Sequence, residues 1–551
     1  MSLERQARSA LTRAGAEVLA AATLVRAGAV GVDRPSRIIR SLQGLLNYGP
    51  AGAALVLAAQ RHPDRVAIVD ERGPLTFAEL DRHCSALANA LISKGFRSGD
   101  TIGVLCRNHR GIVEVLGATA KLGARVLLLN TDFSGPQLAD VCERESVALL
   151  IADEEFRAVL ATTQPRLGHV LAWVDEPTGG RALPPGRIDS VDGLIATSSS
   201  APPDRPQRKQ QIVLLTSGTT GTPKGAPREL GSSLVIPGGL LSRIPLRAAR
   251  TVLIAAPVFH AWGLLSTMIA ASLGNTLILR RRFDPAQALD DLAEHRCDTL
   301  VTVPILLSRI LAQRSALVGE GDLSALRIIA VSGSALSPEL ARRTREVFGD
   351  VLYNLYGSTE VAYAAIATPA DLRAAPGCVG KAPIGTTIRL LDEHGRSVAR
   401  GQTGRIFVGN LIQFGGYTGG GTKEQQSGLM ATGDVGHFDE DGRLFVDGRD
   451  DDMIVSGGEN VFPAEIEDLL TAHPGLAEAA VLGVPDPDFG HRLRAYVVRA
   501  DRASSSPDAE AVQDYVRQNL ARFKVPRDVI FIEAMPRNPA GKIVKRELPE
   551  P

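Results

Sequence analysis

The chain has 551 residues, of which 44% are hydrophobic and 22% charged, and its 61 basic residues are balanced by 61 acidic ones. This length is too great for a single hydrophobic core and predicts two or more domains. The zero net charge argues against a nucleic-acid-binding protein. The five scattered cysteines, without a C-x-x-C pair, argue against a disulfide or zinc framework and favour the reduced thiols of a cytoplasmic protein.

The N-terminal segment, residues 9–32, is rich in alanine and is interrupted by three charged residues. It is too charged for a transmembrane span and lacks the apolar core of a signal peptide. Four apolar residues are expected to share one face of a helix: Leu11, Val18, Leu24 and Val25. We favour packing of this helix on the body of the protein over a place on a membrane surface, and both remain open.

Strands and helices alternate after this segment. Thr76 and Glu79 have the spacing of a capping box and predict a helix that runs through Leu91. Ser337 and Pro338 predict the start of another helix, which should end at Gly349. Short apolar runs predict strands at residues 101–106, 126–129, 148–151, 211–215, 251–256, 299–303 and 327–331. This alternation predicts an α/β fold with parallel or mixed, helix-covered sheets.

The C-terminal third changes character twice. Between Gly377 and Val446 the glycines are dense and the predicted strands short, which indicates a small antiparallel barrel or sheet. After Arg449 two helices and two strands predict a compact α+β module of usual domain size. We therefore expect an N-terminal helical extension over residues 1–60, a large domain over 61–449 and a small C-terminal domain over 450–551.

The run from Thr216 to Gly225 (TSGTTGTPKG) follows a predicted buried strand. Its glycines would let backbone N–H groups approach a polyphosphate, its hydroxyls would donate to the oxygens, and Lys224 would supply countercharge. The run departs from the spacing of a Walker A loop, so it does not predict a P-loop fold. Taken alone, it would also suit a flexible surface loop.

Three further groups suit a nucleotide. Tyr356 can stack on a purine, and Thr359 can donate to a phosphate beside Glu360, a hard oxygen ligand for Mg²⁺. A carboxylate at Asp434 can accept both ribose hydroxyls. Each of these residues, taken singly, would more often be a solvated surface group.

Together with PVFHAWG, SGSAL, YGSTE, ATGD, GRDDDMIVSGGENVFPAEIE and NPAGK, the TSGTTGTPKG run resembles the adenylate-forming superfamily of acyl-CoA synthetases, adenylation domains and luciferases. The motifs appear in the family's order between about Pro63 and Lys542, and their form is most similar to medium- and long-chain fatty acyl-CoA synthetases. The resemblance implies that a carboxylate attacks ATP to give acyl-AMP and pyrophosphate, after which the thiol of CoA displaces AMP.

The resemblance also assigns roles by motif. The β- and γ-phosphates would be held by Thr216, Ser217, Gly218, Thr219, Thr220, Gly221 and Lys224. The adenine slot would be formed by Gly333, Ser334, Ala335, Tyr356 and Gly357. Thr359 would contact the α-phosphate, Glu360 would bind Mg²⁺, Asp434 and Arg449 would hold the ribose, and Lys542 would bridge carboxylate and α-phosphate.

Members of this superfamily rotate their C-terminal domain between the two steps. Asp451 matches the hinge, and the loop with Gly457 and Gly458 would then face the pantetheine of CoA. His260 and Trp262 would lie near the acyl group, and Trp262 is a candidate gate of a fatty-acyl tunnel. The usual tryptophan before ATGD is missing, and residues 418–427 (TGGGTKEQQS) are glycine-rich and polar.

Two alternatives remain open at this stage. One is a fatty acyl-AMP ligase that delivers to a carrier protein, which the lack of an obvious insertion after the phosphate-loop region disfavours. The other is a nucleotide-binding protein without catalysis, which the presence of Lys224, Glu360 and Lys542 disfavours. The partners implied are a fatty acid, ATP and CoA, without nucleic acid. A cytoplasmic location, with peripheral membrane contact through the N-terminal helix and with a homodimer as one oligomeric alternative, completes the expectation.

Overall fold

The computed structural model describes residues 3–29, 47–48, 52, 54–175, 188–216, 224–228, 233–316, 321–450, 454–456, 459–486, 490–500, 507–539 and 541–550. The strands are β1 (Val66–Asp70), β2 (Gly73–Thr76), β3 (Thr101–Leu105), β4 (Arg125–Leu128), β5 (Val147–Asp153), β6 (His169–Trp173), β7 (Asp189–Ser190), β8 (Gln211–Thr216), β9 (Lys224–Arg228), β10 (Thr251–Ile254), β11 (Thr276–Leu279), β12 (Thr299–Thr302), β13 (Ile328–Val331), β14 (Leu352–Tyr356), β15 (Ala365–Ala367), β16 (Thr387–Leu391), β17 (Gly404–Gly409), β18 (Gln425–Gln426), β19 (Leu429–Phe438), β20 (Leu444–Arg449), β21 (Ile454–Ser456), β22 (Glu459–Val461), β23 (Leu476–Asp486), β24 (Gly490–Arg499) and β25 (Asp528–Phe531).

The α-helices are α1 (Leu3–Ala27), α2 (Phe77–Ser93), α3 (Arg110–Leu122), α4 (Gly135–Arg144), α5 (Arg157–Leu160), α6 (Val191–Thr197), α7 (Val235–Leu241), α8 (Ala261–Ser272), α9 (Pro285–Glu294), α10 (Pro304–Ala316), α11 (Pro338–Phe348), α12 (Pro369–Ala374), α13 (Pro463–Thr471) and α14 (Ala509–Asn519). Residues 54–61 are also helical. In the described part of the chain, no helix is long and apolar enough to cross a bilayer.

Two large sheets form the body of the N-terminal part. One has seven strands in the order β7-β6-β5-β3-β4-β8-β9, and the other has eight in the order β15-β14-β13-β12-β10-β11-β1-β2. Neighbouring strands are parallel except at β8–β9, β1–β2 and β14–β15. The predicted α/β class with mostly parallel sheets is therefore confirmed.

The predicted helix starts are confirmed at the level of hydrogen bonds. The Glu79 N–H donates to the Thr76 hydroxyl at 3.2 Å, and the Glu79 carboxylate accepts from the Thr76 N–H at 2.8 Å, which completes the capping box of α2. These bonds lower the pKa of Glu79. The Ser337 hydroxyl accepts from the Leu340 N–H at 3.2 Å, and α11 ends at Phe348 with Gly349 as its C-cap, in agreement with the predicted stop at Gly349.

The main hydrophobic core contains residues of both large sheets together with α2 and α3. Strand β3, which reads TIGVL, is buried along its whole length, as expected for a parallel strand covered on both faces. Residues such as Ile68, Leu91, Ile102 and Ile112 are completely buried in this core. The two sheets are thereby held as one body that positions the loops at the carboxyl ends of their strands.

The glycine-rich segment folds as an antiparallel five-stranded sheet in the order β16-β17-β19-β18, with β20 paired to β19. The sequence left a small antiparallel barrel and an antiparallel sheet as alternatives, and the described strand pairs form an open sheet. The C-terminal part has its own five-stranded sheet, with α13 and α14 packed around a separate core.

The connection between these parts is fixed on each side. The guanidinium of Arg405 donates to the Asp450 carboxylate at 2.9 Å, and the Asp450 N–H donates to the Gly433 carbonyl. Ile454 begins β21, which pairs with β22 and β24 of the small sheet. Residues 451–453 lie outside the described residues, so the chain passes from one anchored body to the other within three residues.

The predicted common apolar face of the N-terminal helix is wrong. Leu24 is buried against the body, whereas Val18 and Val25 are exposed, and the side chain of Leu11 lies outside the described residues. The reason is close packing. The buried face consists of small residues such as Ala20 and Ala27, and a Cβ at Gly238 of α7 would lie only 2.6 Å from the Cβ of Ala20.

Candidate active site

One cavity of about 1820 Å³ lies where the eight-stranded sheet, the five-stranded antiparallel sheet and the C-terminal part meet. The carboxyl ends of β10, β12, β13 and β14 open onto it, which is the usual position of a binding site in an open α/β sheet. Predicted site residues that line this cavity are Lys224, His260, Trp262, Gly333, Ser334, Ala335, Tyr356, Gly357, Thr359, Glu360, Asp434, Arg449 and Lys542. Segments separated by more than 300 residues thus contribute to a single site.

Tyr356, Asp434 and Arg449 form a polar cluster on one wall. The Tyr356 hydroxyl donates to Oδ2 of Asp434 at 2.5 Å, and the Arg449 guanidinium lies 3.5 Å from Oδ1. Burial raises the pKa of Asp434, although the Tyr356 hydroxyl and the charges of Arg449 and Lys542 act in the opposite direction. The cluster offers one carboxylate to neighbouring hydroxyl donors and holds the ring of Tyr356 in a fixed place.

A bulge in β19 aims Asp434 into the cavity. Arg405 of β17 pairs with Val435 and Phe407 pairs with Ala431, so that three residues of β19 lie opposite Ile406 alone. Gly433, at the centre of this bulge, has a φ of +86°, which favours glycine. The Thr432 hydroxyl donates to the Ile406 carbonyl at 3.2 Å and fixes the bulge. The sequence motif located Asp434 but not this backbone feature.

Glu360 lies next to a residue that the sequence analysis missed. The Tyr417 hydroxyl donates to Oε1 of Glu360 at 2.7 Å, and the ammonium group of Lys224 is 5.5 Å from the centre of the Tyr417 ring. Burial and the Glu360 carboxylate raise the pKa of Tyr417, so the phenol remains a donor at neutral pH. Tyr417 therefore connects the candidate metal ligand with the phosphate-loop lysine.

The loop that carries Tyr417 is held to the large domain at several points. The Thr418 N–H donates to the Gly225 carbonyl, and its hydroxyl donates to the Glu145 carboxylate at 2.5 Å. The Phe414 N–H donates to the Glu360 carbonyl, and the Phe414 ring packs edge-on against Tyr417. These contacts fix the Tyr417 hydroxyl beside Glu360.

The donor set fits a magnesium ion. Glu360 is a nearly buried carboxylate on the cavity wall beside Thr359 and Lys224. Mg²⁺ is typically held by one or two carboxylates while its remaining positions are filled by water and substrate phosphates. A single carboxylate next to groups that suit a polyphosphate meets that requirement.

Lys542 reaches the cavity on a tight loop of the C-terminal part. The Lys542 N–H donates to the Asn538 side chain at 2.9 Å, and the Arg537 guanidinium binds both the Gly541 carbonyl and the Glu478 carboxylate. Gly541 has a φ of +78°, and a Cβ there would lie 2.2 Å from Cγ2 of Ile305 in α10. The loop therefore packs tightly on the large domain in this arrangement.

The opposite end of the cavity is apolar. Helices α7, α8 and α10 contribute Ile236, Ala261, Trp262, Gly263, Leu264, Leu265, Met268, Pro304, Ile305, Ser308 and Ala312 to its lining, and none of these residues is charged. The indole N–H of Trp262 donates to the Thr302 carbonyl at 3.0 Å, which fixes this ring in the wall. The surface suits a hydrophobic ligand without a second charge.

His260 is the polar residue at the border of this apolar region. Burial lowers the pKa of His260 to about 4, so the imidazole is neutral at pH 7. Its Nε2 is buried and has no hydrogen-bond partner among the described residues. The ring packs against Phe259 with a centroid distance of 4.5 Å.

Some predicted residues cannot be placed in the site. Thr216 ends β8 opposite Lys224, but its side chain lies outside the described residues. The same holds for the whole of Ser217, Gly218, Thr219, Thr220, Gly221, Asp451, Gly457 and Gly458. Their roles stay predictions.

One other group in the described chain brings potential metal ligands together: Cys106, His109 and Asp153, all buried. Nε2 of His109 is hydrogen-bonded to Asp153 at 2.7 Å, and Nδ1 accepts from the Gly111 N–H at 3.0 Å as the N-cap of α3. Burial raises the pKa of the Cys106 thiol well above its ordinary value. Both imidazole nitrogens are occupied, so this group stabilises the start of a helix.

Comparisons with known proteins match nearly the whole chain. The family model "AMP-binding enzyme" matches residues 55–418, and the model "AMP-binding enzyme C-terminal domain" matches residues 465–542. The chain is 34% identical to an indoleacetate–CoA ligase of Aromatoleum aromaticum over 500 residues, which are 88% of this chain and 95% of the relative. It is 30% identical to a fatty acid–[acyl-carrier-protein] ligase of Streptomyces coeruleorubidus, with 89% and 94% covered.

The fold is also shared with solved structures. The o-succinylbenzoate CoA synthetase of Bacillus subtilis, in complex with its acyl-adenylate intermediate, superposes with a TM-score of 0.78 at 26% identity, covering 90% of this chain and 98% of that one. The names of these relatives span aromatic and fatty acids. The comparisons therefore support the superfamily, and they do not single out the fatty acyl-CoA synthetases that the sequence motifs most resembled.

Proposed function

Because the chain belongs to the AMP-binding enzyme family, we propose that it activates an apolar carboxylic acid with ATP and transfers the acyl group to CoA. The observation that carries the proposal is the single cavity in which the polar groups of the nucleotide motifs, Lys542 of the C-terminal part and an uncharged apolar wall meet. A nucleotide-binding protein without catalysis would not need Lys542 at the point where acid and nucleotide join.

The proposed reaction has two steps. A carboxylate oxygen attacks the α-phosphorus of ATP, the bond to the β-phosphate oxygen breaks, and pyrophosphate leaves. The sulfur of CoA then attacks the acyl carbon, the bond from that carbon to the AMP oxygen breaks, and the thiol proton passes to solvent. Adenylation is needed because a free carboxylate is a poor electrophile, and the protein contributes mainly positioning and charge neutralisation.

The residues divide this work as follows. The Asp434 carboxylate accepts hydrogen bonds from the ribose hydroxyls, and Arg449 also binds the ribose. Tyr356 and residues 333–335 pack against the adenine. Lys224 and the loop over residues 216–221 neutralise the β- and γ-phosphates, while Thr359 donates to the α-phosphate. Lys542 attracts the acid's carboxylate and the α-phosphate together. Glu360 would hold Mg²⁺, which would supply countercharge to the phosphates.

The second step requires a different arrangement of the C-terminal part. Lys542 occupies the cavity in this structure, so CoA needs another approach to the acyl carbon. Rotation about Asp451 would withdraw Lys542 and bring the loop with Gly457 and Gly458 towards the pantetheine.

The acid is proposed to be a medium- or long-chain fatty acid, as the motifs predict. Among the described residues, helices α7, α8 and α10 contribute no cation to the apolar end of the cavity that could hold a second carboxylate or sulfonate, and His260 is neutral at working pH. A flat aromatic acid without a further charge is the closest competitor, because it would meet the same wall beside Trp262 and Phe259. Transfer to a carrier protein instead of CoA is the alternative favoured by one relative.

The test is pyrophosphate release with ATP, Mg²⁺ and a panel of acids, with and without CoA. The panel runs from acetate through octanoate to oleate and includes benzoate, indole-3-acetate and o-succinylbenzoate. Release with fatty acids, with acyl-CoA formed only in the presence of CoA, supports the proposal. Pyrophosphate release confined to aromatic acids would mean that the substrate is an aromatic acid and not a fatty acid. Accumulation of acyl-AMP while CoA remains unused would mean that the acceptor is a carrier protein and not CoA. No release with any acid would refute the proposed reaction for this panel.

A further inference from the structure

Helix α1 lies on the protein body through one face only. Its buried residues Ala20, Thr23, Leu24 and Ala27 face α7, where Gly238 permits close contact. The Glu17 carboxylate accepts hydrogen bonds from the Ser233 hydroxyl at 2.6 Å and from the Leu234 N–H at 3.1 Å. The helix is therefore a fixed part of the surface and presents its other face outward.

That outer face is apolar. Val18, Leu19 and Val25 are 69%, 56% and 57% exposed, and Leu234, the residue bonded to Glu17, is 43% exposed. Among the described residues eight large hydrophobic side chains are exposed, and these four are half of them. Scattered exposed aliphatic residues are normal, whereas their concentration on one helix and its neighbour indicates a contact surface.

Arginines surround the C-terminal end of the same helix. The Arg247 guanidinium donates to the Arg26 carbonyl, that of Arg61 donates to the Ala29 carbonyl, and that of Arg65 donates to the Arg250 carbonyl at 3.2 Å. Burial and the adjacent charge of Arg250 lower the pKa of Arg65. The Ala248 N–H also donates to the Ala27 carbonyl, so the segments that contain these arginines meet near one helix end, in a chain whose net charge is zero.

Four of these arginines, at positions 26, 65, 247 and 250, have no neutralising carboxylate among the described residues. The acceptors of the bonds from Arg65 and Arg247 are backbone carbonyls, which carry no net charge. Within the described residues, the ion pairs closer than 4 Å include none made by Arg26, Arg65, Arg247 or Arg250. An apolar face bordered by unneutralised arginines matches the chemistry of an interfacial helix on an anionic lipid surface.

We propose that the outer face of α1, with Val18, Leu19, Val25 and Leu234, docks on an anionic phospholipid bilayer while Arg26, Arg65, Arg247 and Arg250 pair with lipid phosphates. A second copy of the chain fits this surface less well. Helix α1 itself carries four arginines and two glutamates (Arg5, Arg8, Arg13, Arg26, Glu4, Glu17), so a twofold pairing would bring like charges together.

The position of α1 connects this surface with the cavity. Helix α7, on which α1 packs, contributes Ile236 to the apolar end of the cavity, and the Tyr363 hydroxyl fixes the Ile236 carbonyl at 2.9 Å. One helix layer thus separates the docking face from the acyl end of the site. The docking itself stands independently of the proposed reaction, because its test measures vesicle binding alone.

The experiment is flotation of the full chain with vesicles of phosphatidylcholine alone or with 30 mol% (about one lipid in three) phosphatidylglycerol, a composition chosen to give a strongly anionic surface. Wild-type protein is expected to float with the anionic vesicles and to float much less with the neutral ones. The double variant Val18→Gln/Val25→Gln is expected to lose at least about tenfold in binding to the anionic vesicles, since two aliphatic side chains no longer leave water. Glutamine keeps the helix propensity, and both positions are exposed, so thermal melting should be unchanged.

Ile92→Gln/Val347→Gln is the matched control, since both residues are exposed aliphatic side chains on other helices. It is expected to bind vesicles like the wild type. In the variant Arg26→Gln/Arg250→Gln, binding to the anionic vesicles should decrease about fivefold for each arginine replaced, whereas binding to the neutral vesicles should be unchanged.

Three results would overturn the proposal. They are absence of wild-type flotation, equal loss in the matched control, and a dimer in solution that Val18→Gln/Val25→Gln converts to monomer while vesicle binding is unaffected. The last result would assign the face to a second copy of the chain.

Discussion

Tyr417 is the residue through which the glycine-rich segment contacts Glu360, the candidate metal ligand. Tyr417→Phe removes the 2.7 Å hydrogen bond to Glu360 while keeping the ring that packs on Phe414 and faces Lys224. Because hydrogen bonds to a ligating carboxylate orient it, we expect the Mg²⁺ concentration for half-maximal pyrophosphate release to rise about tenfold. A magnesium titration at saturating ATP and acid measures this, with the melting temperature recorded beside it.

Tyr363→Phe serves as the control for that substitution. The Tyr363 hydroxyl is buried and donates to the Ile236 carbonyl, away from the phosphate side of the cavity. Its loss should lower stability by about 1 kcal/mol and leave the magnesium titration unchanged. An unchanged titration in Tyr417→Phe as well would remove Tyr417 from the metal site.

His260 predicts a pH dependence of stability. Its pKa is about 4 in the folded chain, whereas a free histidine has a pKa of about 6.5. As the pH falls below 6.5, the unfolded chain takes up a proton that folded His260 does not, so the free energy of unfolding decreases until the pH reaches about 4. Above about pH 7.5 the residue contributes almost no pH dependence. By pH 5 the loss from this residue alone is about 2 kcal/mol.

His260→Gln keeps a neutral polar side chain and should remove this part of the pH dependence. The measurement is the free energy of unfolding in urea at pH 7.5 and at pH 5 for the variant and the wild type. His394→Gln, at an exposed position, should follow the wild type. Identical pH dependence in His260→Gln and the wild type would contradict a neutral, buried imidazole.

At the scale of elements, the loop before Lys542 is built to lie against α10. Gly541→Ala would place a methyl group 2.2 Å from Cγ2 of Ile305, a branched side chain that cannot move aside without rotating about its own Cα–Cβ bond. The loop should therefore lift and withdraw Lys542. We expect acyl-AMP formation to fall at least about tenfold, while thioester formation from supplied acyl-AMP is retained, and both half-reactions can be measured separately.

Gly442→Ala separates this clash from backbone strain. Gly442 also has a positive φ, of +75°, but a Cβ there would have no heavy atom within 4 Å. Both alanines have the cost of a left-handed conformation, about 1–2 kcal/mol. Equal effects of the two substitutions on adenylation would mean that contact with Ile305 is irrelevant to the position of Lys542.

An element could be predicted from the sequence when the interactions that form it join residues close together in the chain. At the helix starts, the hydroxyls of Thr76 and Ser337 accept hydrogen bonds from N–H groups only three residues further along the chain. The cause is local, so a short sequence pattern is enough to predict these helix starts. The Tyr417–Glu360 bond joins residues 57 positions apart, and the β19 bulge depends on its partner β17, so neither has a local signal. The outward face of α1 was misassigned because contact with Gly238, more than 200 residues away, selects the small-residue face.

The site follows the same rule at a larger scale. The motifs identified residues just after β13, at the ends of β14 and β20 and within β19, because each motif is short and carries its own chemistry. They could not indicate that Trp262 is fixed to the Thr302 carbonyl or that the wall beside it is uncharged, since these properties arise from three helices of different sequence regions. The motifs therefore identified many lining residues on the predicted nucleotide side of the cavity but only two on its apolar side.

At the scale of the whole molecule, the two proposed steps require one cavity to be completed by the C-terminal part in two ways. Asp450 is bound to Arg405 and Gly433 of the large domain, and Ile454 belongs to the small sheet. We therefore expect any rotation between the bodies to occur within residues 451–453. Asp451→Pro fixes φ near −65° within this short connection. If the adenylating arrangement tolerates that value, acyl-AMP formation persists while CoA transfer falls by more than about tenfold, because the chain can no longer rotate.

Asp451→Ala is the control: it removes the carboxylate but leaves the backbone free to rotate, and it should retain both half-reactions. Rates of acyl-AMP formation and of thioester formation from supplied acyl-AMP, measured for both variants, distinguish restricted rotation from loss of the side chain. Normal CoA transfer in Asp451→Pro would place the moving joint elsewhere, and equal damage by alanine would assign the effect to the carboxylate and not to rotation.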